Sequence, residues 1–154
     1  LHDWAVMRGI EPVPERAPPL VIEAVLKGGA RMIYHIIDEG DVQRIMRHPQ
    51  TMIASDGRLT RPGDGKPHPR AYGTFARVLG RYVRDEKLIP LEEAVRRLTS
   101  FPATTLKLDR RGALKAGYFA DVVVFDPARI QDHATFERPH QYATGVKHVW
   151  VNGV

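Results

Sequence analysis

Two side chains stand where chemistry could be done, Asp56 and Arg70. Asp56 stands just past a short apolar run, Met52-Ile53-Ala54, and is followed at once by Gly57. A buried parallel strand delivers a reactive side chain to a loop in this way. A carboxylate so placed can take a proton from an attacking water and return it to a leaving group. The plain alternative for a lone Ser-Asp-Gly is a capped turn. Arg70 brings a planar, bidentate donor suited to a free carboxylate, or else makes a loop-to-frame salt bridge. His68 precedes Pro69 and is therefore held extended; it either hydrogen-bonds near Asp56 or shapes the loop.

The neighbours of these residues read as support. Ser55 and Gly57 serve backbone approach and packing, and Tyr72 and Thr74 either line the site or begin a helix. His35 lies inside an apolar stretch, where a satisfied core or site-mouth histidine is expected rather than a ligand. His48 closes a helix, where a cation suits the local dipole. His133, His140 and His148 lack metal-ligand spacing and receive no metal. No phosphate-binding glycine loop is present.

The elements that must position the site follow from periodicity and punctuation. After a proline-rich start (Pro12, Pro14, Pro18, Pro19), Leu20, Val21, Ala24, Val25 and Leu26 share a helical face that Gly28-Gly29 stop. Residues 31–37, RMIYHII, read as a strand. Asp38 or Asp41 caps a helix ended by His48-Pro49, and residues 51–54 form a second strand. Helix, strand, helix, strand with short connections is the pattern of parallel α/β units. Residues 57–69 form a long polar loop, followed by a helical repeat from Thr74 and a second helix, Leu91 to Leu98, after Pro90. One further turn is expected at residues 103–106. Beyond Asp109, turn glycines separate two strands, residues 121–125 and 146–151. The first is apolar on both faces and expected to be buried.

Composition limits the partners. The 154 residues are 43% hydrophobic, enough for a core. No apolar run approaches the roughly 18 residues of a membrane span, and no signal peptide is evident at Leu1. Cysteine is absent, which removes disulfides and thiolate ligands and fits a cytoplasmic setting. The net charge of +5 is spread along helices among acidic residues, so nucleic acid is not an expected partner. The chain does not begin with Met and is expected to be part of something longer.

Three stretches carry a family likeness. TMIASDG at 51–57, HPRAYGTFARVLGRYVR at 68–84, and GALKAGYFADVVVFD with VKHVWVNG toward the end closely resemble the carboxyl-terminal part of N-acyl-D-amino-acid deacylases (D-aminoacylases), of the amidohydrolase superfamily. The likeness runs from about Leu20 to the end. The second stretch is specific to that subgroup; the ADVVVFD and VNG pair is widespread among amidohydrolases. The resemblance implies a (β/α)8 barrel with a small flanking β-sandwich. Residues 1–108 would be the last two barrel strands with their helices, and 109–154 part of the sandwich. It also implies Zn2+ in the full-length enzyme, with the main ligands upstream of Leu1 and Asp56 as proton shuttle and weak or secondary ligand. Arg70 would hold the substrate carboxylate, with His68 beside it, and the substrate would be a small N-acyl amino acid.

Two other readings stay open. A different amidohydrolase, such as a cyclic-amide hydrolase, shares the ending but does not account for HPRAYGTF. A non-catalytic remnant would self-associate through uncovered barrel surfaces into a homo-oligomer. On the leading reading, these residues alone are expected to be nearly inactive.

Overall fold

The computed structural model describes residues 2–29 and 33–154. The chain divides into two compact units, residues 1–36 and 37–154.

In the first unit, helix α1 (His2–Met7) is followed by a 3-10 turn (Pro14–Arg16) and helix α2 (Ala17–Leu26). The proline-rich stretch thus holds more helix than expected, because Pro18 and Pro19 fall in the first turn of α2, where the missing N–H costs nothing. Gly28 and Gly29 stop α2 as expected, both at positive φ, with Gly29 N donating to Ala24 O at 2.9 Å. Arg31 and Met32 of the expected strand lie outside the described residues, and residues 33–36 carry no strand. His35 is exposed, against the core place expected for it and not against the site-mouth one.

The second unit begins with α3 (Glu39–Arg47), capped by Asp38, whose Oδ1 accepts from Gly40 N at 2.7 Å. Residues 51–60 form neither helix nor ladder, so the expected second strand is not formed. A strand needs an aligned neighbour. Here the ties to the frame are scattered single bonds, such as Ile53 N donating to Arg97 O at 3.2 Å and Thr51 Oγ1 to Ile45 O at 2.7 Å.

Helix α4 (Arg70–Arg77) continues into π-helical turns over Val78–Asp85, starting a turn earlier than the apolar repeat suggests. Helices α5 (Leu91–Leu98) and α6 (Ser100–Thr105) follow. Met46, Ala76, Val78, Leu79, Tyr82, Ile89, Ala94 and Ile130 form one buried cluster. Its members come from α3, the end of α4, the π-helical turns, the link at Ile89, α5 and the segment after β1, so the core fastens the end of α4 to the frame.

Strands β1 (Val122–Phe125) and β2 (Val146–Trp150) pair antiparallel, with Val123 opposite Val149. β1 is not buried: Val123 is 55% and Val124 40% exposed. A two-stranded ribbon has no second layer to cover it. Asp121 and Asn152 join its ends. Asp121 Oδ1 accepts from Asn152 N at 2.9 Å, and its other oxygen pairs with Arg111. These two contacts hold the Asp121 carboxyl below its usual pKa.

Arg97 is a buried charge of this unit, at 3% exposure. Its Nη1 donates to Met46 O at 2.5 Å and His48 O at 2.9 Å, closing the last carbonyls of α3, and its Nε donates to Glu93 at 2.6 Å. Arg96 grips the same carboxylate, and the two arginines lower the Glu93 pKa from 4.5 to about 2. The folded value lies below the unfolded one. Glu93 therefore contributes stability above pH 4.5 that fades as pH falls toward 2. In the full-length protein, urea midpoints of wild type and Glu93→Gln are expected to differ at pH 6 and converge toward pH 2. A gap independent of pH would remove the ion-pair explanation.

Candidate active site

The site is assembled where residues 51–60 run past the start of α4. Asp56 and Arg70 meet directly: Arg70 Nη2 donates to Asp56 Oδ2 at 2.5 Å and Nε donates to Asp56 O at 3.1 Å. Asp56 is 88% exposed and Arg70 44%, so the pair faces outward. These contacts use one edge of the guanidinium. Nη1 and the second Nη2 proton form the fork that remains for a planar anion.

Short bonds hold the two chain segments together beneath the pair. Ser55 Oγ donates to Arg70 O at 3.0 Å and accepts from Gly57 N at 3.0 Å. Thr74 Oγ1 donates to Arg70 O at 3.0 Å, with Ser55 Oγ 3.3 Å away. Gly57 passes so close that a Cβ would lie 2.7 Å from Ala71 Cα and 2.8 Å from Arg70 O. No side chain fits there, which accounts for glycine after the aspartate as a matter of backbone approach. Tyr72 and Thr74 lie in the first half of α4.

His68 Nδ1 accepts from Arg70 N at 3.0 Å, taking one of the orphan donors at the start of α4. Its ring meets Phe136 edge-on at 5.2 Å. His68 thus shapes the chain that presents Arg70.

Two features escaped the sequence. Gly73 lies in the middle of α4, and a Cβ there would fall 1.9 Å from Asp132 Oδ1. The Asp132 side chain is 6% exposed, with Arg77 Nη1 3.6 Å from it and Ala134 N donating to it at 2.9 Å. A glycine within a helical pattern was the available signal, since it marks close approach. The second feature is His140, whose Nδ1 lies 2.9 Å from Tyr72 Oη. No local motif announces that long-range pair. His133 Nε2 lies 2.9 Å from Thr144 Oγ1.

Among the described residues no group of three or more His, Cys, Asp or Glu side chains could hold a metal ion. Asp56 offers a hard oxygen donor of the kind zinc accepts, so this segment suits one ligand of a metal centre and not a whole cage.

The model of the amidohydrolase family matches residues 1–154. The chain belongs to the amidohydrolase family. The likeness to D-aminoacylases holds as well. A D-aminoacylase of Alcaligenes xylosoxydans xylosoxydans is 55% identical over 124 residues, covering 80% of this chain and 25% of that protein. A crystal structure of D-aminoacylase, described as defining a novel subset of amidohydrolases, superposes with a TM-score of 0.81 at 47% identity. It covers 99% of this chain, which covers 30% of it. The N-acyl-D-glutamate deacylase of Bordetella bronchiseptica was solved with zinc and a phosphonate inhibitor that mimics the tetrahedral intermediate. It superposes with a TM-score of 0.80 at 42% identity, over 98% of this chain and 30% of that one. The chain therefore spans about a quarter of the length of the curated D-aminoacylase it matches. As a family fragment it is of the α/β class. No described helix is long and apolar enough to cross a membrane.

Proposed function

We propose that the full-length protein is a metal-dependent hydrolase that cleaves the amide bond of N-acyl-D-amino acids. One observation carries this reading: the carboxylate of Asp56 and the guanidinium of Arg70 stand together at 2.5 Å on an exposed edge, in a chain 55% identical to a D-aminoacylase. A proton shuttle and an anion anchor in contact suit a substrate whose scissile amide lies one carbon from a free carboxylate.

In this reading residues 1–108 close a (β/α)8 barrel and residues 109–154 contribute to a β-sandwich. Residues 51–60 would then find their ladder partners in barrel strands beyond the described residues. Asp56 takes a proton from the attacking water and gives it to the leaving amine. The free Nη1 and Nη2 edge of Arg70 receives the substrate α-carboxylate as a bidentate pair. His68 binds substrate indirectly, by fixing the backbone N–H of Arg70. The zinc-bound relative supports Zn2+ as the metal, with Asp56 as a weak or secondary ligand. When bound, the ion supplies Lewis acidity that brings the pKa of a water to about 7.

The test uses the full-length, zinc-loaded protein. Free amino acid is expected from an N-acyl-D-amino acid, with little turnover of the L isomer or of a cyclic amide and loss of activity on chelation. Preferential opening of the cyclic amide would overturn the assignment.

A further inference from the structure

Residues 57–69 join Asp56 to Arg70, so the path of this loop sets the distance and angle between the two groups. Apart from His68 at its end, which meets Phe136, the loop is poorly anchored by its own side chains. Leu59 is fully exposed at 105%, and its interior bonds are local turns such as Asp64 N to Arg61 O at 3.0 Å. A segment with few buried apolar contacts opens easily unless something distant holds it.

Two residues do so. Tyr72 Oη, on α4, lies 2.9 Å from His140 Nδ1 and 3.2 Å from Thr60 O. His140 Nε2 lies 2.9 Å from Gly65 O. The two carbonyls belong to the loop, and a carbonyl only accepts, so Nε2 carries a proton. In the neutral ring Nδ1 then takes the single hydroxyl proton of Tyr72 and Thr60 O is left without it; with Nδ1 protonated as well, Nδ1 donates to Tyr72 Oη, whose proton goes to Thr60 O. The rings also meet edge-on at 5.6 Å, and Tyr142 packs against Tyr72 at 5.6 Å. Both side chains are half-buried, which screens these bonds from water less than burial would but more than exposure.

We propose that Tyr72 and His140 form a clasp that fixes loop 57–69 at Gly65, with Thr60 O as the alternative acceptor of the Tyr72 proton, and thereby positions Arg70 for the substrate carboxylate. The proposal rests on the deacylase reading for its substrate, while the clasp itself is a property of the loop. Tyr72 and His140 are positioning residues; neither is assigned contact with the reacting bond.

The test is made on the full-length, zinc-loaded enzyme. Tyr72→Phe keeps the ring and removes the hydroxyl. It is expected to raise KM for an N-acyl-D-amino acid by about tenfold, the worth of one hydrogen bond held in place. KM for the corresponding carboxamide, which has no charge for Arg70 to hold, stays at the wild-type value. His140→Ala gives the same pattern, and the double variant is no worse than the more affected single one. A second readout does not depend on turnover. Arg61 and Lys66 precede proline, leaving Arg58–Leu59 as the tryptic bond within the loop, and both variants should be cut there faster than wild type. Equal rises in KM for acid and carboxamide would overturn the clasp's action through Arg70, and cleavage at the wild-type rate would overturn the clasp. Absence of deacylase activity in wild type would instead strike the substrate assignment, with the proteolysis still deciding the clasp.

Discussion

Asp56→Asn in the full-length, metal-loaded enzyme is expected to lower kcat by about 10²- to 10⁴-fold with little change in KM, the range typical of a lost general acid–base. The amide side chain is nearly isosteric and keeps an oxygen that can accept from Arg70, so the frame beneath should persist. That frame does not depend on the carboxylate: Ser55, Gly57, Thr74 and the backbone of Arg70 hold one another. What the substitution removes is a group able to carry a proton. Metal analysis of the same sample decides between this and loss of a ligand. Retained metal with lost kcat supports proton transfer, and metal loss in proportion to activity contradicts it.

The second large effect is expected at Arg70. Arg70→Met should lower kcat/KM for an N-acyl-D-amino acid by about 10²- to 10³-fold, mostly through KM, because the substrate carboxylate loses its charged partner. Asp56 also loses a partner in this variant. Steady-state kinetics with the carboxamide separate the two consequences. If Arg70 anchors the carboxylate, the variant and wild type handle the carboxamide alike. A similar loss on both substrates would mean that Arg70 acts by holding Asp56. Lysine is not expected to restore the site, since a point charge cannot make the bidentate contact.

Helices were legible in the sequence where a local signal marks them. Asp38 caps α3, Gly28-Gly29 stop α2, and Pro90 precedes α5. Strands were less so. Residues 51–54 have the apolar character of a buried strand, yet a strand is a relation between chains, and no ladder partner for them stands among the described residues. The same reason leaves β1 exposed where its composition suggested burial. Within the site, Asp56 and Arg70 were each legible from their types and flanking residues. Their direct contact was not, because periodicity carries no information about how a polar loop folds back. Gly73 against Asp132 and Tyr72 against His140 are tertiary facts of the same kind.

The central claim is that Asp56 returns a proton to the leaving amine, and the most direct test varies the leaving group. The measurement compares kcat/KM of wild type and Asp56→Asn on an N-acyl-D-amino acid and on the matching S-acyl mercapto acid. A thiolate departs without help, whereas an amine must be protonated as it leaves. The account predicts that the deficit of Asp56→Asn is at least about tenfold smaller on the thioester. An equal deficit on both substrates would contradict it.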